Sequence, residues 1–121
     1  MNSDVKGLVL QYISIWNERD TRKRRVLIDA IFTDESGYTD PNDAVVGRDA
    51  IENLVERLQA KFPDFRFALS GPINSHHQQV LFGWQFGAVG APSPAVAGID
   101  VALLMEGRIR QLYGFVDRPS A

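Results

Sequence analysis

The sequence contains no cysteine. Disulfides, zinc–thiolate sites, iron–sulfur clusters and thiol catalysis are therefore excluded. Histidine is nearly as scarce. The only two, His76 and His77, are adjacent, so a three-histidine metal centre cannot be built. Neither sign of charge is in large excess: the formal net charge is −2, which leaves no basic footprint for nucleic acid. No apolar run approaches the ~18 residues that a membrane span requires. Met1-Asn2-Ser3-Asp4 lacks the basic stretch, apolar core and cleavage site of a secretory signal, so the expected location is cytoplasmic. The composition that remains is ordinary for a globular chain, with 45% hydrophobic and 23% charged residues. A length of 121 residues corresponds to one domain, 1–121, with one core and room for one modest pocket. Chemistry, if any, must come from carboxylates, tyrosines, arginines or the two histidines, with no metal or cofactor expected.

The first half of the chain has helical spacing. Val5, Leu8, Val9, Tyr12, Ile13 and Trp16 fall on one face of a first helix, with Asn2, Ser3 and Asp4 as capping oxygens. A second helix fits Thr21 to Phe32, its buried stripe formed by Leu27, Ala30 and Ile31. Its opening run, Arg22-Lys23-Arg24-Arg25, opposes the helix dipole and reads as a solvated face. Glu35 to Asp40 forms a short strand that ends at Pro41, because a residue before proline is pushed to extended geometry. Val45-Val46 is a brief strand. A third helix follows Gly47-Arg48-Asp49, with Ile51, Leu54, Val55, Leu58 and Phe62 on one side, and Pro63 stops it.

Beyond Pro63 the period changes to two. Phe65, Phe67 and Leu69 alternate with polar or small residues until Gly71-Pro72 bends or ends the strand. Val80, Phe82, Trp84 and Phe86 alternate in the next strand. Val96 to Met105 and Arg108 to Asp117 form a hairpin around Glu106-Gly107. Two registers are open for it: a two-residue turn sets Asp100 opposite Tyr113, and a three-residue turn with a bulge at Gly107 sets it opposite Leu112. Helices followed by antiparallel strands predict an α+β fold with helices on one face of a sheet. Gly83, Gly87, Gly98 and Gly114 inside the strands predict strong curvature, and hence a concavity under the helices where a small ligand fits.

Three polar residues stand out. Asp100 lies in the apolar run Gly98-Ile99-Asp100-Val101-Ala102-Leu103-Leu104. A buried carboxylate must find partners or take up a proton; the alternative is an edge-strand position facing water or a subunit contact. Asp40 shares a strand face with Tyr38; the alternative is a turn-capping role before Asn42 and Asp43. Tyr12 is the one hydrogen-bonding group on its helix's apolar face apart from the Trp16 indole, as a pocket donor or a core tyrosine.

The order and spacing of these pieces resemble the SnoaL-like (polyketide cyclase-like) branch of the nuclear-transport-factor-two-like superfamily. That superfamily also contains ketosteroid isomerase, scytalone dehydratase and limonene epoxide hydrolase. The resemblance rests on Tyr12 to Asp20, on Tyr38-Thr39-Asp40-Pro41 with Gly47-Arg48-Asp49-Ala50-Ile51, and on Phe62-Pro63-Asp64-Phe65. It rests too on Gly98-Ile99-Asp100, Glu106-Gly107-Arg108-Ile109 and Tyr113-Gly114-Phe115-Val116-Asp117. It covers nearly the whole chain. It implies a cone-shaped curved, largely antiparallel (mixed) sheet wrapped by three helices in a cystatin-type roll with an internal pocket. It also implies frequent homodimers through the outer sheet face.

For the site, the resemblance to ketosteroid isomerase implies Asp40 as base, with Tyr12 and a protonated Asp100 as the oxyanion donors; that enzyme is the standard case of a carboxylic acid kept neutral by an apolar site. SnoaL-type cyclases instead imply the late-strand aspartate, Asp100, as acid/base with pocket histidine support, for which His76 or His77 would serve. An Asp–Arg–Asp set of the epoxide hydrolase kind lacks a clearly placed arginine. Two functions stay open. One is a cofactor-free isomerase or cyclase that moves a proton α to the carbonyl of a small, mostly apolar ligand. The other is a non-catalytic small-molecule or protein binding module on the same fold. Trp16, Tyr38, Trp84, Tyr113 and His76 are the expected ligand-binding residues. Large apolar residues on both faces of the late strands predict a homodimer.

Overall fold

The computed structural model describes residues 2–117, with side chains from residue 4 onward. The helices are α1 (Asn2–Asn17), α2 (Thr21–Ile31) and α3 (Arg48–Lys61). The strands are β1 (Phe32–Thr39), β2 (Ala44–Val46), β3 (Phe65–His76), β4 (Gln79–Ala88), β5 (Val96–Met105) and β6 (Arg108–Val116). They form one six-stranded sheet in the order β2-β1-β6-β5-β4-β3. Only β1 and β6 run parallel; every other pair is antiparallel. The sheet is curved, mixed and not closed, and the three helices pack against it. None of the helices is long and apolar enough to cross a membrane.

The period-two pattern does its expected work in β4. Val80, Phe82, Trp84 and Phe86 are buried, and Leu81 and Gln85 between them are exposed. The helices supply the facing layer, with Val9, Tyr12, Ile13, Ile15 and Trp16 from α1, Ile28 and Ile31 from α2, and Ile51, Leu54 and Val55 from α3. The side chain of Asn17 ties the end of α1 to the sheet. Its amide donates to the Phe67 carbonyl and accepts from the Phe67 N–H, both at 2.8 Å. The chain thus pairs a helix terminus with a strand as if it were a neighbouring strand, which sets Trp16 against Phe67 at a ring separation of 5.5 Å.

Several sequence expectations are corrected. The capping roles of Asn2 and Ser3 lie outside the described side chains. Of the two readings for Gly71-Pro72, an interruption within β3 holds and an end does not: the pairing with β4 breaks between Ser70 and Asn74 and then resumes to His76. The basic run of α2 is a solvated face only in part: Arg22 and Lys23 are exposed, but Arg24 and Arg25 are engaged. Arg24 is 1% exposed and reaches Glu52 at 3.4 Å, the Glu18 carbonyl at 2.9 Å and Gln59 Oε1 at 2.9 Å. Arg25 beside it bonds Asp29, Asp49 and Glu52. The start of α2 is held by the Asp20 side chain, which accepts from the Lys23 N–H. Burial of Arg24 is tolerated because acceptors from the end of α1 and from α3 surround its guanidinium.

The hairpin register is neither of the two expected. Met105 pairs with Arg108 across Glu106-Gly107, whose φ angles of 52° and 80° are those of a tight two-residue hairpin turn. The pairing then slips from Leu104–Ile109 to Leu103–Gln111, so Arg110 is the extra residue of a bulge. Ile109 and Leu112, three apart, both reach the core as a result. Asp100 comes to lie opposite Gly114.

Candidate active site

Asp100 sits on the concave face of β5, 6% exposed. Its partner across the β4–β5 pair is Phe82, and Trp84 lies opposite Gly98. Trp84 is therefore its diagonal neighbour, within reach of a large side chain. The indole N–H donates to Asp100 Oδ1 at 2.9 Å. Two glycines make room. A Cβ on Gly98 would overlap the Trp84 indole, and one on Gly114 would stand 3.1 Å from Asp100 Oδ1 and 3.4 Å from the Asp40 Cβ. Burial pushes the Asp100 carboxyl up to about 7 from its ordinary 3.8; the Trp84 N–H and the Tyr12 hydroxyl pull it back, and the charge of Asp40 raises it further.

Tyr12 projects from α1 among Trp16, Phe32 and Phe82, with ring separations of 5.8–6.4 Å. Burial and then the nearby Asp100 charge raise its hydroxyl well above 10. It is a neutral donor at any physiological pH.

Asp40 leaves β1 beside the cavity and is thoroughly engaged. Oδ2 accepts from the Tyr38 hydroxyl at 2.8 Å, and Oδ1 accepts from the Asn42 and Asp43 N–H groups, each at 2.8 Å. The turn-capping and pocket-facing alternatives for this residue are thus combined. Tyr38 is buried, and burial together with Asp40 raises its hydroxyl well above 10.

These groups share one cavity of about 600 Å³, within the range that encloses a drug-sized molecule. Tyr12, Asp40, Asp100, Trp16, Tyr38 and Trp84 all line it. Two expected ligand contacts do not. The register slip in β6 turns Tyr113 to the outer face, opposite Val101 and 38% exposed. His76 ends β3, exposed, with its Nδ1 2.9 Å from that of His77. The histidine support expected from the cyclase resemblance is therefore absent from the pocket. Among the described residues no three His, Asp or Glu side chains gather as a metal site would need. Residues that sequence reasoning did not select also line the wall. Phe67 and Phe86 stack against each other at 4.3 Å, and Arg57 and Lys61 project from α3. The alternation of β3 and β4 carried the signal for the phenylalanines. For the two cations only their four-residue spacing was visible.

The SnoaL-like domain family matches residues 9–112. The chain belongs to this family. Among solved structures, the SnoaL-like chain is similar to a protein from Agrobacterium tumefaciens C58 described provisionally as an isomerase of that family. The two share 30% identity over 96% of this chain and 99% of the other, with a TM-score of 0.90. A provisionally named SnoaL-like polyketide cyclase from Jannaschia sp. CCS1 is 16% identical, with 95% and 86% covered and a TM-score of 0.77. A provisionally named ketosteroid isomerase from Kribbella flavida is 11% identical, with 98% and 82% covered and a TM-score of 0.70. At these last two identities the likeness is one of fold. No curated protein matches the sequence.

Proposed function

We propose that the cavity binds a small, mostly apolar carbonyl compound and that Asp100 moves a proton at the carbon α to the carbonyl, in an isomerisation or a cyclisation. The observation that carries this is the Asp100 carboxyl itself: enclosed on the pocket wall, fixed by Trp84, and pushed up to about 7. A proton-transfer group works best when its pKa is close to the operating pH. As a carboxylate, Asp100 takes the α proton, and the C–H electron pair moves toward the carbonyl oxygen. The Tyr12 hydroxyl keeps its own proton and hydrogen-bonds the developing enolate oxygen. Asp100 then returns the proton at a different carbon, or the enolate carbon attacks a second carbonyl of the same ligand, whose π electrons move to its oxygen, and Asp100 gives its proton to the resulting alkoxide.

Asp40 takes a different part from the base implied by ketosteroid isomerase. Three donors already occupy its oxygens, out of roughly four lone-pair sites. It serves as a fixed negative charge that raises the proton affinity of Asp100.

2-Tetralone in D₂O is a suitable probe, with α-deuteration followed by NMR. The native protein is expected to accelerate exchange. Asp100→Asn should lose about a hundredfold of that acceleration, and Asp40→Asn about tenfold or less. Full exchange in Asp100→Asn would overturn the proposal. The engaged state of Asp40 also favours a non-catalytic binder, which would bind 2-tetralone without accelerating exchange.

We further propose a homodimer through the convex face of the sheet. Leu81, Ile99, Tyr113 and Phe115 are 38–59% exposed there. They lie on adjacent strands, with Ile99 opposite Phe115 and with Leu81 and Tyr113 each opposite Val101. A contiguous apolar surface of this kind marks an interaction site.

A further inference from the structure

The cavity is electrically asymmetric. Its enclosed end holds Tyr12, Trp84 and Asp100, all 9% exposed or less. Among the described residues its lining includes two cations, Arg57 and Lys61, and both are exposed. They stand four residues apart on α3, and so are neighbours one turn apart on the same helix face. Arg57 approaches Asp43 at 3.6 Å, a long contact for an ion pair, with the arginine side chain 66% exposed. Lys61 enters no ion pair among the described residues; its ammonium lies 5.6 Å from the centre of the Phe62 ring. Phe62 is itself part of the cavity wall, as are Phe67 and Phe86. The wall thus combines buried hydrogen-bonding groups, aromatic rings and two exposed positive charges, with Asp43, also on the wall, beside Arg57.

We infer that the ligand is an amphipathic organic acid. Its carbonyl meets Asp100 and Tyr12, its apolar body lies along the phenylalanines, and an anionic group at the far end meets Arg57 and Lys61. This deepens the function proposed above and rests on it for the placement of the carbonyl. The interior explains why the anion must lie outward. Asp40 and Asp100 both line the cavity, and neither enters an ion pair among the described residues, so a negative group placed between them would be repelled and stripped of water. At the rim an anion stays partly hydrated, displaces only the loose Arg57–Asp43 contact and gains Lys61.

The probe pair is 6-hydroxy-2-naphthoic acid and its methyl ester. The phenol stands in for the enolised carbonyl, the ring system for the apolar body, and the acid and ester differ at the far end by the charge and one methyl group. Quenching of Trp16 and Trp84, both on the cavity wall, reports binding. The acid is expected to bind about fivefold more tightly than the ester at low salt, the scale of two exposed charge contacts. That advantage should shrink as ionic strength rises and vanish in an Arg57→Gln/Lys61→Gln double variant that binds the ester normally. 6-Hydroxynaphthalene-2-yl phosphate provides a second arm: preference for it over the carboxylate would assign the rim to a phosphate, and preference for the carboxylate to a carboxylic acid. Either result supports an anionic ligand. Equal binding of acid and ester, or an acid preference that survives in the double variant, overturns the inference while leaving the proton-transfer proposal standing. Binding of none of the three overturns both.

Discussion

Trp84 donates its indole N–H to Asp100 Oδ1 at 2.9 Å, across the pairing of β4 with β5. The bond joins two polar groups enclosed in an apolar wall. One is an indole that needs an acceptor, and the other a carboxyl that burial has raised to about 7. Each satisfies the other inside an apolar wall.

The raised Asp100 carboxyl makes stability depend on pH in a definite direction. In the unfolded chain it ionises near its ordinary 3.8; in the fold it holds its proton to about 7. Between these values the folded state binds more protons, so stability falls as pH rises from about 4 to about 7 and then levels off. The contribution is on the order of 4 kcal/mol. Asp100→Asn keeps an acceptor for Trp84 and cannot ionise. Urea unfolding of both proteins at pH 5 and pH 8 should show the variant gaining on the native chain at the higher pH. A constant difference across that range would mean that the carboxyl is not raised.

Trp84→Phe removes the N–H and keeps most of the ring volume. The lost bond favoured the carboxylate, so the titration midpoint of Asp100 should move to higher pH. The loss of stability should be about 2 kcal/mol at pH 8, the scale of a hydrogen bond to a charged group, and smaller at pH 5. Carboxyl-carbon NMR of Asp100 gives the midpoint directly. If it moved downward, the role assigned to the indole would be wrong.

Arg24→Ala should destabilise by about 3 kcal/mol, because it leaves Glu52 partly buried with its Arg24 contact gone. Glu52 retains its contact with Arg25 at 3.2 Å, which restrains the loss. Arg24 is not part of the cavity wall, so affinity for the naphthoic acid should be unchanged in protein that remains folded. A loss of affinity without a loss of stability would assign Arg24 to ligand binding.

Phe115→Glu places a charge on the most exposed aromatic of the convex face, at 59% exposure. Sedimentation equilibrium at micromolar concentration should give a dimer for the native chain and a monomer for the variant, with the circular dichroism of the folded state unchanged. A monomeric native chain would remove the proposed interface.

Much of this architecture is legible in local pattern. The 3.6-residue spacing of Val9, Tyr12, Ile13 and Trp16 marks one face of α1, and the alternation through Phe86 marks the concave face of β4, because each period follows from backbone geometry alone. Asp100 is conspicuous because a carboxylate in an apolar strand must be answered by something. Tertiary structure decided the rest. The slip at Arg110 lets both Ile109 and Leu112 reach the core, turns Tyr113 away and brings Gly114 against Asp100. Arg24 is buried because Glu52 and Gln59, 28 and 35 residues away, close over it. The engagement of Asp40, by contrast, is local: its three partners lie within three residues of it in the chain. Sequence periodicity determines which face a residue occupies; whether that face meets a partner, a ligand or water is set by contacts between segments distant in the chain.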